Sequence, residues 1–161
     1  MSREIAERYV HLAQCADDLN EAWRILKHIQ RYRRNRLAGA AFQFAIILYA
    51  RPYKTSYGTV IARHRLDDRF VPPELMSLHT RLLDSRDRVQ AHSDLTVRDA
   101  RIAVARVGKG RFVSVVQNVV HGAELLRQLG EFVTLIERSL TAMYGELKSI
   151  EPALPDTLSV P

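Results

Sequence analysis

Leu82-Leu83-Asp84-Ser85-Arg86-Asp87-Arg88-Val89-Gln90-Ala91-His92-Ser93-Asp94 reads as the end of an amphipathic helix. Leu75, Leu78, Leu82 and Val89 keep to one face at spacings of three, four and seven, the period of a helix packed on one side. Pro72-Pro73 suit its first turn, and Ser93-Asp94 compete for backbone hydrogen bonds at its end. The spacing predicts a helix from about Pro73 to His92. Arg86, Asp87 and His92 fall at the polar edge of the apolar face. Six residues at about 100° each set Arg86 and His92 roughly 120° apart, so they bracket that edge. An arginine and a histidine brought together hold a phosphate and move protons near neutral pH.

The rest of the chain repeats the helical period. Ile5, Tyr9, Leu12, Ala16, Leu19, Trp23 and Leu26 alternate four and three apart, which predicts a long helix from an N-cap at Ser2 to about Arg33. Leu37 to Tyr49 is apolar all round and belongs inside a bundle, with Pro52 expected to stop it. Thr59 to Leu66 is expected to form a short helix carrying Arg63, His64 and Arg65 outward. From Val119 to Lys148, Leu126, Leu129, Val133, Ile136, Leu140, Met143 and Leu147 alternate three and four apart, beside a second strip of Leu125, Phe132 and Leu135. Arg101 to Val116 differs: β-branched runs flank Gly108-Lys109-Gly110, which predicts a small hairpin. A short helix over Val97 to Val107 is the alternative. The expected fold is therefore mainly all-α, an up-and-down bundle of four to five helices with a small β-hairpin near 101–116. One domain over 1–150 and a loose tail over 151–161 follow from the length and from the three prolines after Glu151.

Composition narrows the function. The single cysteine, Cys15, excludes an internal disulfide framework and a multi-cysteine zinc site, and no histidine pair has metal-ligand spacing. No cofactor motif is present, since Gly108 to Gly110 lacks the lysine and hydroxyl residue of a phosphate loop. No signal peptide or bilayer-length apolar run is visible, so a cytoplasmic location without membrane contact is the expectation. The formal charge is +6 and is uneven. Arg24 to Arg36 holds six cations and no acid, whereas Val119 to Glu151 holds five acids against three bases. One face thus suits a polyanion, most simply nucleic acid. Arg31, Arg33 and Arg34 are its candidate contacts. Arg51 and Lys54, interleaved with Tyr53 and Tyr57, are candidates for holding phosphates beside stacked bases.

Arg86-Asp87 … Ala91-His92-Ser93-Asp94 resembles the signature of the HEPN superfamily: an arginine, a polar residue, a short spacer and a histidine at a helix end. The Ala-His-Ser-Asp ending is similar to its abortive-infection-like branch. The resemblance implies a helical homodimer with two motifs near its interface. It implies metal-independent endoribonuclease action, in which a ribose 2′-hydroxyl attacks the adjacent phosphate and leaves a cyclic phosphate end. His92 would handle protons, Arg86 would hold the phosphate, and Asp87 would orient a neighbour or the attacking group. A toxin or phage-defence role, with an antitoxin or other partner protein, belongs to the same implication. The alternative is a non-catalytic dimer of this type that binds RNA, a nucleotide or a partner protein.

Overall fold

The computed structural model describes residues 2–32, 36–87, 101–108, 110–116 and 123–154. Among the described residues, five α-helical segments carry the fold: α1 (Ser2–Arg31), α2 (Ala38–Ala50), α3 (Met76–Ser85), α4 (Ala123–Leu126) and α5 (Leu129–Ile150). One two-stranded antiparallel sheet, β1 (Arg101–Val107) and β2 (Gly110–Val116), lies between α3 and α4 in sequence. The fold is mainly α-helical with a small hairpin, as the periodicities predict.

The apolar stripes meet in one core. Leu19, Leu26, Ile46, Leu82, Leu135, Ile136 and Met143 are all fully buried, and α1 packs against both α2 and α5 while α2 also meets α3. Phe132 and Tyr49 pack edge to face, with ring centroids 5.2 Å apart, an arrangement favoured by the ring quadrupoles. Burial of an average large apolar side chain stabilises by ~1.5–3 kcal/mol, so this shared core outweighs any single polar contact. Trp23 is half-buried at the α1–α5 seam, and its indole Nε1 donates to Glu137 Oε1 at 2.8 Å. Between the helices, Tyr49 Oη and His79 Nδ1 share a buried hydrogen bond of 2.7 Å, and His79 is only 2% exposed. Burial holds the His79 ring below its ordinary pKa, against the opposing pull of Asp68.

Several expectations need correction. The second helix is not enclosed all round: Phe44 is 49% exposed, because Gly39, Ala40 and Phe44 face away from the core. α2 does end just before Pro52, at Ala50, but not by Arg51 leaving helical geometry. Arg51 keeps φ −55° and ψ −48°, and Arg51–Tyr53 continue as a tight 3-10 turn with proline in its first turn. The expected motif helix is shorter at its start, with Pro73–Leu75 as a separate 3-10 turn before α3. The last helix is divided, because Gln128 breaks off between α4 and α5. Its side-chain oxygen accepts from Arg81 of α3 at 2.5 Å and its amide donates to Glu131 at 2.9 Å. The expected tail begins with structure as well, since Glu151–Ala153 form a 3-10 turn and Glu151 accepts from the Tyr9 hydroxyl. Residues 155–161 lie outside the described residues.

The largest difference is the segment after α2. No helix forms over 59–66. His64 instead pairs with Ser56 in an isolated antiparallel bridge, and Leu66 N–H donates to Pro52 O at 2.8 Å. His64, expected outside, is 9% exposed. The cause is Glu7 of α1. Its carboxylate accepts from the backbone N–H groups of Thr59, Val60 and Ile61, from the Thr59 hydroxyl, and is joined to His64 Nε2 at 2.7 Å. Three successive backbone donors are thus satisfied by one buried anion instead of by water or by a neighbouring carbonyl.

The hairpin stands apart. Val104 pairs with Val113 and Ala105 with Phe112, and Gly108 takes φ +60° at the turn, a conformation that glycine adopts without steric cost. Ile102, Val104, Phe112 and Val113 are all more than half exposed. The helical alternative for Val97 to Val107 is thereby excluded for its described part.

Candidate functional site

The C-terminal end of α3 brings together three of the residues singled out in the sequence. Arg86 caps the helix, its N–H shared between Leu82 O and Leu83 O, and Arg86-Asp87 turn with a wider, π-type winding. Such local widening is frequent at functional sites. Arg86 Nη1 donates to Asp87 Oδ1 at 3.0 Å, and Lys54 Nζ donates to Asp87 Oδ2 at 2.5 Å. Lys54, sited by the 3-10 turn after α2, thus reaches a carboxylate 33 positions further along the chain. Side-chain exposures of 34%, 35% and 45% for Lys54, Arg86 and Asp87 leave the cluster open to a solute. Partial burial disfavours ionisation of Asp87, but the hydrogen bonds and charges of Lys54 and Arg86 outweigh it and lower its pKa. Asp87 is therefore an anion at neutral pH, with a cation on each oxygen.

Other singled-out residues are separate from this cluster. Arg51 donates to Asp18 Oδ1 at 2.8 Å on the α1 side. Arg31 lies at the end of α1, its guanidinium carbon 5.4 Å from the centroid of the Tyr32 ring, a plate suited to stacking. His92, Arg33 and Arg34 lie outside the described residues. Cys15 is buried with its thiol pushed up to about 12 by burial, which keeps it protonated and unreactive.

A second polar cluster escaped the sequence reading. His11 of α1 stacks on His64, ring centroids 4.6 Å apart and planes 28° from parallel, directly above Glu7. The hydrogen bond with His64 acts most strongly on Glu7; burial opposes it, and the backbone donors add to it. The carboxyl is held down to about 2. Nothing local signals this, since Glu7 and His64 are 57 positions apart. Only the four-residue spacing of Glu7 and His11, one helical turn, hinted that both share a face.

Among the described residues, no group of three or more His, Cys, Asp or Glu side chains is arranged to hold a metal ion, and no helix is long and apolar enough to cross a membrane. Comparisons with family models, with curated proteins and with solved structures return no match to this chain.

Proposed function

We propose that the chain is a metal-independent endoribonuclease of the HEPN type, acting as a homodimer on RNA. The observation that carries this reading is the Lys54–Asp87–Arg86 cluster at the half-exposed end of α3. Two cations side by side, one of them the motif's arginine, support phosphate binding at this helix end. In the proposed reaction the 2′-oxygen bonds to the adjacent phosphorus and the bond to the 5′-oxygen breaks. The proton lost by the 2′-hydroxyl is balanced by one gained at the 5′-oxygen, with His92 as the group that exchanges protons. Arg86 and Lys54 stabilise the charge that grows on the phosphate oxygens. The homodimer is supported by Ile102, Val104, Phe112 and Val113, because an exposed apolar hairpin of this kind is unusual on a lone chain.

A non-catalytic reading draws on the same geometry. Asp87 already occupies both cations, so a phosphate has to compete with a carboxylate. Binding of RNA without cleavage would follow if that competition holds the phosphate away from Arg86. An RNA panel incubated with chelator, followed by end-group analysis for cyclic phosphate, separates the two. Cleavage by wild type that disappears in folded His92→Ala and Arg86→Ala supports the nuclease. Full activity in His92→Ala removes the motif from the mechanism, and binding without cleavage across the panel favours the second reading.

A further inference from the structure

We propose that the cavity between the first turns of α1 and the 61–70 segment binds a small phosphate monoester with an apolar body. It encloses about 320 Å³, the lower end of the range of ~300–1,000 Å³ usual for small-molecule sites. None of the residues proposed for RNA cleavage lines it, so this inference stands apart from that reading.

Four arginines line the cavity, Arg8 from α1 and Arg63, Arg65 and Arg69 from the loop, alongside the acids Asp67 and Glu146. Two of the four are held at the rim by neighbouring acids. Arg65 donates to Asp68 at 3.3 Å, and Arg69 donates to Glu146 Oε1 at 2.7 Å. Arg8 and Arg63 are exposed and come from different elements, and they are the two guanidinium groups the proposal assigns to the phosphate. A guanidinium fork matches phosphate geometry better than an ammonium does.

The histidine pair supplies the second half of the site. His64 is fixed by Glu7 through Nε2, with its side chain 8% exposed, which leaves Nδ1 as the ring nitrogen available to a ligand. His11 has its Nε2 against Cys15 Sγ at 3.5 Å, so its Nδ1 is likewise the free edge. The carboxylate-anchored His64 imidazole has a fixed orientation, and little freedom is lost when it binds. Leu12, Leu66, Phe70 and Ile150 complete the wall. An inorganic ion would leave this apolar surface uncovered, whereas an ester with a flat or aliphatic body covers it. The loop that builds the site is shaped by Glu7, so the cavity exists in the free protein.

Calorimetric titration of the full chain with phenyl phosphate, inorganic phosphate and phenol tests the proposal. Expected is one phenyl phosphate per chain, weaker inorganic phosphate and no binding of phenol. Arg8→Ala and Arg63→Ala, both at exposed positions, should each weaken phenyl phosphate about tenfold, the usual cost of losing a charge-assisted hydrogen bond. Arg86→Ala and Lys54→Ala should bind it as wild type does. Absence of binding by either phosphate probe at millimolar concentration overturns the site. So does unchanged affinity in the Arg8→Ala/Arg63→Ala double variant, or a loss confined to Lys54→Ala, which would move the phosphate to α3. Tighter binding of a short single-stranded RNA at this same cavity, displacing phenyl phosphate and lost in the same variants, would overturn the small-molecule assignment in favour of a strand.

Discussion

Glu7 and His64, 57 positions apart, meet at 2.7 Å, and that single pair decides the course of the chain between α2 and α3. The loop has almost no apolar anchor between Ser56 and Ile61. Its backbone N–H groups are ordered by a carboxylate on another helix, so the loop and the start of α1 are one mechanical unit.

Replacing Glu7 with Gln keeps the shape but sets an amide N–H₂ against backbone donors. Thermal denaturation at pH 7 should show a Tm lower by on the order of 5 °C. The pH dependence follows from the lowered pKa. Folded Glu7 titrates at about 2 against an ordinary 4.5, so its contribution is fully present above about 4.5 and is lost as pH falls toward 2. The gap between wild type and Glu7→Gln should therefore narrow in acid. A constant gap from pH 7 to pH 2.5 would contradict the carboxylate's role.

Gly58→Ala should be at least as damaging. A Cβ there overlaps Glu7 Oε1 and comes within 2.5 Å of His64 Nε2 and 2.6 Å of Ile61 O. Two of these are fixed by the pair and one is backbone, so none yields cheaply. Overpacking of this kind costs ~1–3 kcal/mol. A denaturant midpoint equal to wild type would show that the loop closes differently over Glu7.

These two sites also mark the limit of what the sequence discloses. Helices are legible because Leu12, Leu19 and Leu26, or Ile136, Met143 and Leu147, repeat their period within each segment. The hairpin is legible because Gly108-Lys109-Gly110 interrupts β-branched runs. By contrast Thr59 to Leu66, read as a short helix, forms none, and its first three backbone donors are held by Glu7, a contact between distant positions. Lys54 and Asp87 were each singled out alone, and their contact is a product of the α2–α3 packing. His79, which the sequence leaves as a bystander, is bonded to Tyr49 in the core. His79→Ala is therefore expected to unfold the bundle partially, and it is a poor control for catalysis.

For the α3 cluster, Arg86→Lys is the most informative change. Lysine keeps the charge and loses the planar fork, so the variant should stay folded while cleaving poorly. His92→Ala and Arg86→Ala should each cost ~100- to 10,000-fold. If both act on one phosphate, the double variant should lose much less than the product of the single losses. Multiplicative losses in single-turnover cleavage would separate their roles.

The basic run from Arg24 to Arg36 predicts a salt effect. Charge reversal at Arg31, Arg33 and Arg34 together should flatten the salt dependence of RNA binding and weaken it for every sequence alike, because phosphate contacts release counterions. Fluorescence polarisation over a range of potassium chloride reads this directly, and an unchanged slope would make the run a solvated surface.

Assembly is testable through the hairpin. Light scattering at micromolar concentration should give twice the chain mass of 18.4 kDa. Val104→Asp with Phe112→Asp should return it to one chain mass while leaving the bundle folded, since neither side chain is in the core. A wild-type mass near 18.4 kDa would remove the dimer.

Trp23 is the chain's one tryptophan, and its indole is tied to Glu137 across the α1–α5 seam. The protein thus carries a built-in optical gauge. Its emission reports parting of those two helices and is blind to the loop that Glu7 holds, which contains no tryptophan. Selective loosening of that loop would leave tryptophan emission unchanged while altering hydrogen exchange at Thr59, Val60 and Ile61. Two-probe disagreement in a Glu7 or Gly58 variant would then be a direct reading of how far the segment detaches before the bundle does.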